Sequence, residues 1–423
     1  MMTPEVMDKR YSSDELIEME AQFGAHNYKP LPVVLSRGEG VFVWDVEGSR
    51  YFDFLAAYSS LNQGHCHPRL VKAMREQIGT LTLTSRAFYN DMLGRAEKFL
   101  AETFGYDKVL LMNSGAEAVE TSIKLARRWA YDTKGIEENK AKIVVAENNF
   151  HGRTTGVISF STDPSSKKHF GPFMPGFEVV RFNDTEVLER AFQDEAVCAF
   201  LVEPIQGEAG VQIPDPGYLK TIRELCDQYN VLLLADEIQT GLGRTGKMLA
   251  CEHEDVRPDV ILLGKALSGG MMPVSAVLCD DYIMMNIKPG EHGSTYGGNP
   301  LGARIVIEAV QIITETGLLE KVATMGEYFR MRIRDAGIPY LSDVRGKGLF
   351  SAIEIDNSKI EASAYDICKM LKENGLLAKQ THGNIIRFAP PLIITQPQLE
   401  ACCEIIINTL RVAEEEDGLT SLP

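Results

Sequence analysis

The pattern of apolar and polar positions changes twice along the chain. An acidic stretch with helical spacing runs to about Phe23, and the prolines of GAHNYKPLPVVL then deny it a regular helix. GVFVWDVEGSRYFDFL alternates about a turn at Glu47-Gly48, which predicts a β-hairpin. From about Asn62, segments of helical spacing over Pro68–Ile78, Met92–Phe104 and Glu117–Trp129 alternate with short apolar runs bounded by polar residues. The runs are Lys108–Met112, Lys142–Ala146, Cys198–Val202, Val231–Ala235 and Val260–Leu263. Short apolar strands separated by helices predict parallel βαβ units buried on both faces. After about Ile305 a long helix leads to VRGKGLFSAIEI, read as a strand pair. A helix over Ala362–Asn374, the strand NIIRFAP and a final helix over Gln396–Val412 follow. The expected organisation is an N-terminal segment of helix and hairpin (1–61), a large α/β unit around a mainly parallel sheet (62–305), and a C-terminal α+β unit (306–423).

Composition narrows the function classes. The 423 residues carry 43 basic and 59 acidic side chains, a net charge of −16, which argues against binding nucleic acid or an anionic membrane through neutralised phosphates. The longest nearly apolar run, Ala266–Cys279, contains Ser, Gly and Pro and falls short of the about 20 residues of a spanning helix. Glu5, Asp8, Asp14, Glu15, Glu18 and Glu20 near the N-terminus outweigh Lys9 and Arg10, unlike a secretory signal or an Arg-rich transit peptide. The expected compartment is the cytoplasm, or the mitochondrion if a presequence has been removed. Eight cysteines without a CxxC pair read as reduced thiols.

Ligands of open parallel sheets bind beyond the carboxyl ends of the strands, so those ends carry the candidate chemistry. The run to Ala235 stops at Asp236-Glu237, and the run to Leu263 stops at Gly264-Lys265, which places an acid and a lysine just past two strands one βαβ step apart. Burial penalises an ammonium, and a neutral amine forms a Schiff base with an aldehyde. Pyridoxal phosphate (PLP) requires both groups, the lysine for its aldehyde and the acid for its ring nitrogen. Alone, each residue reads first as a strand-end salt bridge or a solvated charge. The third piece is Asn113-Ser114-Gly115-Ala116-Glu117, which follows Lys108–Met112 and opens a helix. Ser114 is a good N-cap with Glu117 three residues on, and the small residues leave amides bare where the helix dipole favours an anion. Acid, lysine and phosphate cradle at three strand ends is a much rarer conjunction than any one of them.

Two further motifs are set aside. Gly241-Leu-Gly-Arg-Thr-Gly246-Lys247 matches GxGxxG and nearly a P-loop, but Met248 offers no hydroxyl to Mg²⁺ and Glu-Ile-Gln-Thr separates the glycines from the strand. His65-Cys66-His67 lacks a second ligand cluster, so no metal site is expected.

The motifs WDVEG…YFDF, NQGHCHP, NSGAEA, NNFHGRT, VEPIQGEAG, LLADEIQTG, LLGKALSGG and GSTYGGNP span nearly the whole chain. On them the sequence resembles the class III PLP-dependent aminotransferases of fold type I. The resemblance implies a large mainly parallel sheet with helices on both faces and a smaller α+β domain from both termini. It implies that Lys265 is the Schiff-base lysine, that Asp236 partners the ring nitrogen and that Gln239 bonds the ring's 3-oxygen. Gly115 and Ala116, beside Ser114, match the phosphate cradle, and Phe150 matches the aromatic that stacks on the ring. Thr295 matches a threonine that reaches the phosphate of the neighbouring subunit's cofactor, which implies a homodimer with active sites at its interface. His151 follows Phe150 at a position that varies within the class without touching the chemistry.

Within the class, GAHNYKPLPVVL, LTLTSRAFYN, GPFMPGF, KPGEHGSTYGGNPLG and GLLAKQTHGNIIRFAPPL are similar to the branch that acts on ornithine. The resemblance implies L-ornithine as amino donor and 2-oxoglutarate as acceptor, with N-acetylornithine and 4-aminobutyrate as the nearest rival donors. Tyr28 and Arg153 match residues that hold the α-amino-carboxylate end of ornithine, and Tyr58 lines the same pocket. Arg387 matches the arginine for the α-carboxylate of 2-oxoglutarate or glutamate, and Glu208 the acid that pairs with it when ornithine is bound. A switchable pair would let one pocket serve a cation and a dianion in turn; a static ion pair is the alternative.

Overall fold

The computed structural model describes residues 10–315 and 317–420, with side chains up to 415. The first nine residues of the acidic N-terminal stretch lie outside that description. A helix over Ser13–Phe23 starts at a capping box of Ser12 and Glu15. Strands β1 (Leu35–Glu39), β2 (Phe42–Asp45) and β3 (Arg50–Asp53) follow. β2 and β3 are the expected hairpin, and β1 is an additional strand on its edge.

The large sheet contains β4 (Lys108–Met112), β5 (Lys142–Ala146), β6 (Phe177–Val180), β7 (Val197–Val202), β8 (Leu232–Asp236), β9 (Val260–Leu263) and β10 (Ser275–Cys279), in the order β4-β10-β9-β8-β7-β5-β6. Neighbours from β9 to β6 are parallel, while β10 lies antiparallel between β4 and β9. β4 therefore points the same way as β9, and its carboxyl end opens on the same edge of the sheet. The strands are all but fully apolar because both faces are covered, with Phe200, Leu233 and Ile261 in one core and Leu201, Leu234 and Leu262 in the other.

The third sheet holds β11 (Leu341–Lys347), β12 (Phe350–Ile355), β14 (Lys379–Thr381) and β15 (Ile385–Phe388), whereas β13 (Leu376–Leu377) leaves it to pair with β3. The C-terminal region thus shares a sheet with the N-terminal hairpin, and both pack on one apolar core that includes Phe54, Phe329 and Phe388.

Four expectations need correction. The long helix after Ile305 is two, Pro300–Glu315 and Leu318–Asp335, the second opening at Gly317 with φ +65°. The segment between β8 and β9 is not a helical crossover: it holds only a short 3₁₀ turn over Ala250–Glu254. Asp236 is the last residue of β8 rather than the first beyond it. The C-terminal helix runs past Val412, over Gln396–Thr420. Among the described residues no helix is long and apolar enough to cross a membrane.

The glycine-rich stretch set aside above lies in that irregular segment. Gly243 and Gly246 have φ of +86° and +91°, so they serve turns. Arg244 between them is fully buried and donates to the carbonyls of Leu349 and Pro390 and to Asn62 Oδ1 at 2.5–2.9 Å, tying three parts of the chain together. His65 bonds Asp53 at 2.7 Å and His67 caps the helix Pro68–Ile78; no group of metal-ligand residues occurs among the described residues.

Candidate active site

The carboxyl ends of five strands, β4, β5, β7, β8 and β9, converge on a cavity of about 190 Å³ lined by Gly115, Ala116, Phe150, His151, Gly152, Glu203, Asp236, Ile238, Gln239, Thr240 and Lys265. Lys265 follows β9 on a left-handed backbone, φ +45°, a conformation that costs a non-glycine residue free energy and that the surrounding packing must hold. Its amine has no hydrogen-bond partner among the described residues. Burial drives its pKa below the ordinary lysine value, and the charges of Glu208 and Asp236 only partly oppose this. The amine is thus biased toward the neutral, nucleophilic form.

Asp236 is 5% exposed. Its Oδ2 accepts from His151 Nδ1 at 2.6 Å, and its Oδ1 accepts from the Ile238 amide at 3.1 Å. Burial alone would favour a neutral His151 ring, but the hydrogen bond to Asp236 and the charges of Asp236 and Glu203 raise its pKa above the ordinary value. Its Nε2 is buried without a partner. His151, expected to stand apart from the chemistry, therefore bonds the acid that the resemblance assigns to the ring nitrogen.

The capping box forms as the sequence predicts. Ser114 caps the helix Gly115–Trp129 in a capping box with Glu117. The Glu117 carboxylate accepts the amides of Asn113 and Ser114 at 3.0 and 2.7 Å, which leaves those of Gly115 and Ala116 without an acceptor among the described residues. A Cβ on Gly115 would lie 3.1 Å from Ile238 Cδ1, so a glycine keeps this wall thin.

Glu208 and Arg387 form a bidentate pair, Nη1 to Oε1 at 2.7 Å and Nη2 to Oε2 at 3.1 Å. Arg387 sits on β15, donates also to the Gly207 carbonyl at 3.1 Å, and faces the Tyr58 ring at 5.7 Å. Burial would raise the Glu208 pKa, yet the charge and hydrogen bonds of Arg387, with help from Lys265, hold it below the ordinary value. Gln239 donates to Glu208 Oε1 and to the Tyr58 carbonyl, both at 3.4 Å. Tyr58 belongs to a left-handed turn, Ala56–Ser59, in which four consecutive non-glycine residues have φ between +45° and +69°. Such a turn costs roughly 1–2 kcal/mol per residue and persists only because the surroundings fix it.

Tyr28, Arg153 and Thr295 are exposed and do not line the cavity. Tyr28 is 69% exposed, and its ring meets Lys379 Nζ at 5.6 Å; Lys379 pairs in register with Arg387. Arg153 is exposed, bonds Ser166 and Asp163, and lies 5.4 Å from the Phe150 ring. Thr295 is exposed in a loop anchored on the cradle by Asn113 and Ser294 at 2.8 Å.

The family model described as Aminotransferase class-III matches residues 23–410. The chain belongs to the class-III aminotransferases. It is 60% identical to the probable mitochondrial ornithine aminotransferase of Caenorhabditis elegans over 94% of both chains. It is 58% identical to the mitochondrial ornithine aminotransferase of Rattus norvegicus over 94% of this chain and 91% of that one. The ornithine aminotransferase structure from Toxoplasma gondii superposes with a TM-score of 0.95 at 46% identity, over 98% of this chain and 100% of that one. An acetylornithine aminotransferase structure from Elizabethkingia anophelis superposes with a TM-score of 0.86 at 52% identity, over 95% and 100% of the chains. The fold is therefore fold type I.

Class-III aminotransferases use PLP, and this cavity suits it. An amine without a partner, two bare helix-start amides and a buried acid answer the aldehyde, phosphate and ring nitrogen of one molecule. Glu203, an acid that sequence reasoning missed, also lines the cavity. Its signal was the one used for Asp236: an apolar strand, β7, ends directly at an acid.

Proposed function

We propose that this chain transfers the δ-amino group of L-ornithine to 2-oxoglutarate, giving glutamate and glutamate 5-semialdehyde, which cyclises to pyrroline-5-carboxylate. PLP, when bound, supplies the electron sink that makes the substrate carbon acidic. The chain's residues do the rest. Lys265 would hold the cofactor's aldehyde and, once released, would serve as general base and acid at the substrate carbon. Asp236, oriented by His151, would hold the proton on the ring nitrogen, and Phe150 would stand against the ring. Gly115 and Ala116, at the Ser114 cap, would receive the phosphate, and Gln239 would bond the ring oxygen.

The observation that carries the substrate assignment is the bidentate Glu208–Arg387 pair beside Lys265. Closed, the pair hides the arginine and leaves a surface suited to a δ-amine. Opened, it offers a planar fork to the α-carboxylate of glutamate or 2-oxoglutarate. Tyr28, Tyr58 and Arg153 receive the far end of ornithine. Tyr28 and Arg153 are exposed, outward of the cavity that Lys265 lines.

We further propose a homodimer in which Thr295 of one copy reaches the cofactor phosphate held by its partner. In support, Thr295 is exposed beside the cradle, and the loops carrying Tyr89, 99% exposed, and Tyr296 meet where Asn90 bonds Gly298.

The 52% identity to an acetylornithine aminotransferase favours a second reading, N-acetylornithine as donor. A panel of L-ornithine, N-acetyl-L-ornithine and 4-aminobutyrate, each with 2-oxoglutarate and PLP, separates the two. Ornithine should give the highest kcat/KM, with pyrroline-5-carboxylate formed; a higher value for either rival overturns the proposal.

A further inference from the structure

Glu203 is used by no step above, yet it is fully buried at the carboxyl end of β7 and lines the same cavity. Its two oxygens face different parts of the site. Oε1 accepts the Phe150 amide at 2.8 Å, and Oε2 accepts the Gly207 amide at 3.3 Å. Phe150 is the aromatic wall. Gly207 precedes Glu208, and its carbonyl receives Arg387. The turn at Gly207 has no slack: a Cβ there would lie 1.7 Å from Gln239 Oε1 and 3.0 Å from the Phe350 ring. One carboxylate thus fixes the wall behind the cofactor relative to the turn that carries the acid of the arginine pair.

We infer that Glu203 is a positioning residue that holds the Gly207–Glu208 turn against Arg387, and that through this bond it sets the preference for ornithine over α-amino acids. The inference rests on the function proposed above. The turn is the covalent neighbour of Glu208, so loosening its amide loosens the closed pair without touching either member. An uncovered Arg387 admits glutamate more easily, which is the same direction as removing Glu208 but weaker.

The site also makes this bond adjustable. His151, Asp236 and Lys265 face Glu203 across the cavity, and the Glu208–Arg387 pair lies beyond Gly207. Burial and the Asp236 charge push the Glu203 pKa up to about 7, against the pull of His151 and the two amides. As pH falls through that value the carboxylate gains a proton and becomes a poorer acceptor for one amide.

Glu203→Gln keeps the size but offers one oxygen and one NH₂, so one backbone N–H must face a donor. The test compares single-turnover kcat/KM for L-ornithine and L-glutamate on PLP-loaded wild type and variant. Losing a hydrogen bond to a charged acceptor should reduce the ornithine-over-glutamate preference about tenfold. In wild type the same preference should fall as pH is lowered from about 8.5 to about 6, through the titration of a buried acid. A variant whose preference stays within about twofold of wild type, even with a lowered rate, melting temperature or cofactor content, overturns the inference. A flat wild-type preference profile overturns it as well, and that profile decides the matter if the variant does not fold. Absence of any ornithine turnover by wild type would instead bring down the functional proposal on which the inference stands.

Discussion

Removing the Glu208 carboxylate should unmask Arg387. In the closed pair the arginine side chain is 4% exposed and the glutamate 25%. Glu208→Ala deletes both charge-assisted bonds, at 2.7 and 3.1 Å, and leaves Arg387 with the Gly207 carbonyl and the Tyr58 face. Water can enter beside a glutamate that is a quarter exposed, so the stability cost should stay near the low end for such bonds, about 1–2 kcal/mol. The kinetic effect is larger. In the wild type, glutamate must displace Glu208 before its α-carboxylate meets the guanidinium. Relief of that competition is worth roughly 1.5–3 kcal/mol, or about 10- to 150-fold in kcat/KM for the glutamate half-reaction. Ornithine, which presents an amine there, gains nothing. Rapid mixing of PLP-loaded enzyme with each donor, without an oxo acid, reads both constants from the decay of the visible cofactor band. If cofactor content and thermal midpoint stay near wild type and glutamate shows no gain, the pair is a static structural bridge and the switch is refuted.

Two further substitutions probe the surroundings. His151→Phe leaves Asp236 Oδ2 without its donor at 2.6 Å and should cost about 1–3 kcal/mol in chemical denaturation. Because the folded His151 pKa is raised, the contribution of its charge is complete below the unfolded value and fades as pH rises through the folded one. The gap between wild type and variant should therefore be wider at pH 6 than at pH 9; an equal gap at both would show that the bond carries no charge. Tyr28→Ile should weaken ornithine and favour 4-aminobutyrate, as read by the ratio of kcat/KM values; an unchanged ratio would remove Tyr28 from substrate selection.

The chemistry at the strand ends was legible because it follows a local rule. Apolar runs buried on both faces end where polar function begins, so Asp236, Lys265 and the Ser114–Ala116 cradle could be placed from spacing alone. β6 and β10 were not legible. β6 is a partly exposed edge strand, and β10 lies inside the long apolar stretch Ala266–Cys279, where nothing marks a boundary. The irregular connection from β8 to β9 escaped because the fully buried Arg244 organises it through partners more than 100 residues away. His151 was misjudged for a related reason. Its partner is 85 residues distant on β8, two strands from β5, and only the strand order brings the loop after β5 across to Asp236. The roles of Tyr28, Arg153 and Thr295 came from family resemblance alone, and all three side chains are exposed.

The central claim is that Lys265 holds the cofactor's aldehyde and that the resulting site accepts the δ-amine of ornithine. The most direct measurement is the visible absorption of the PLP-loaded protein, wild type and Lys265→Ala, before and after L-ornithine is added without an oxo acid. The wild type should show a visible band that bleaches with ornithine and returns with 2-oxoglutarate, and the variant should lack that band. A band that survives in Lys265→Ala, or a wild-type band indifferent to ornithine, would contradict the account.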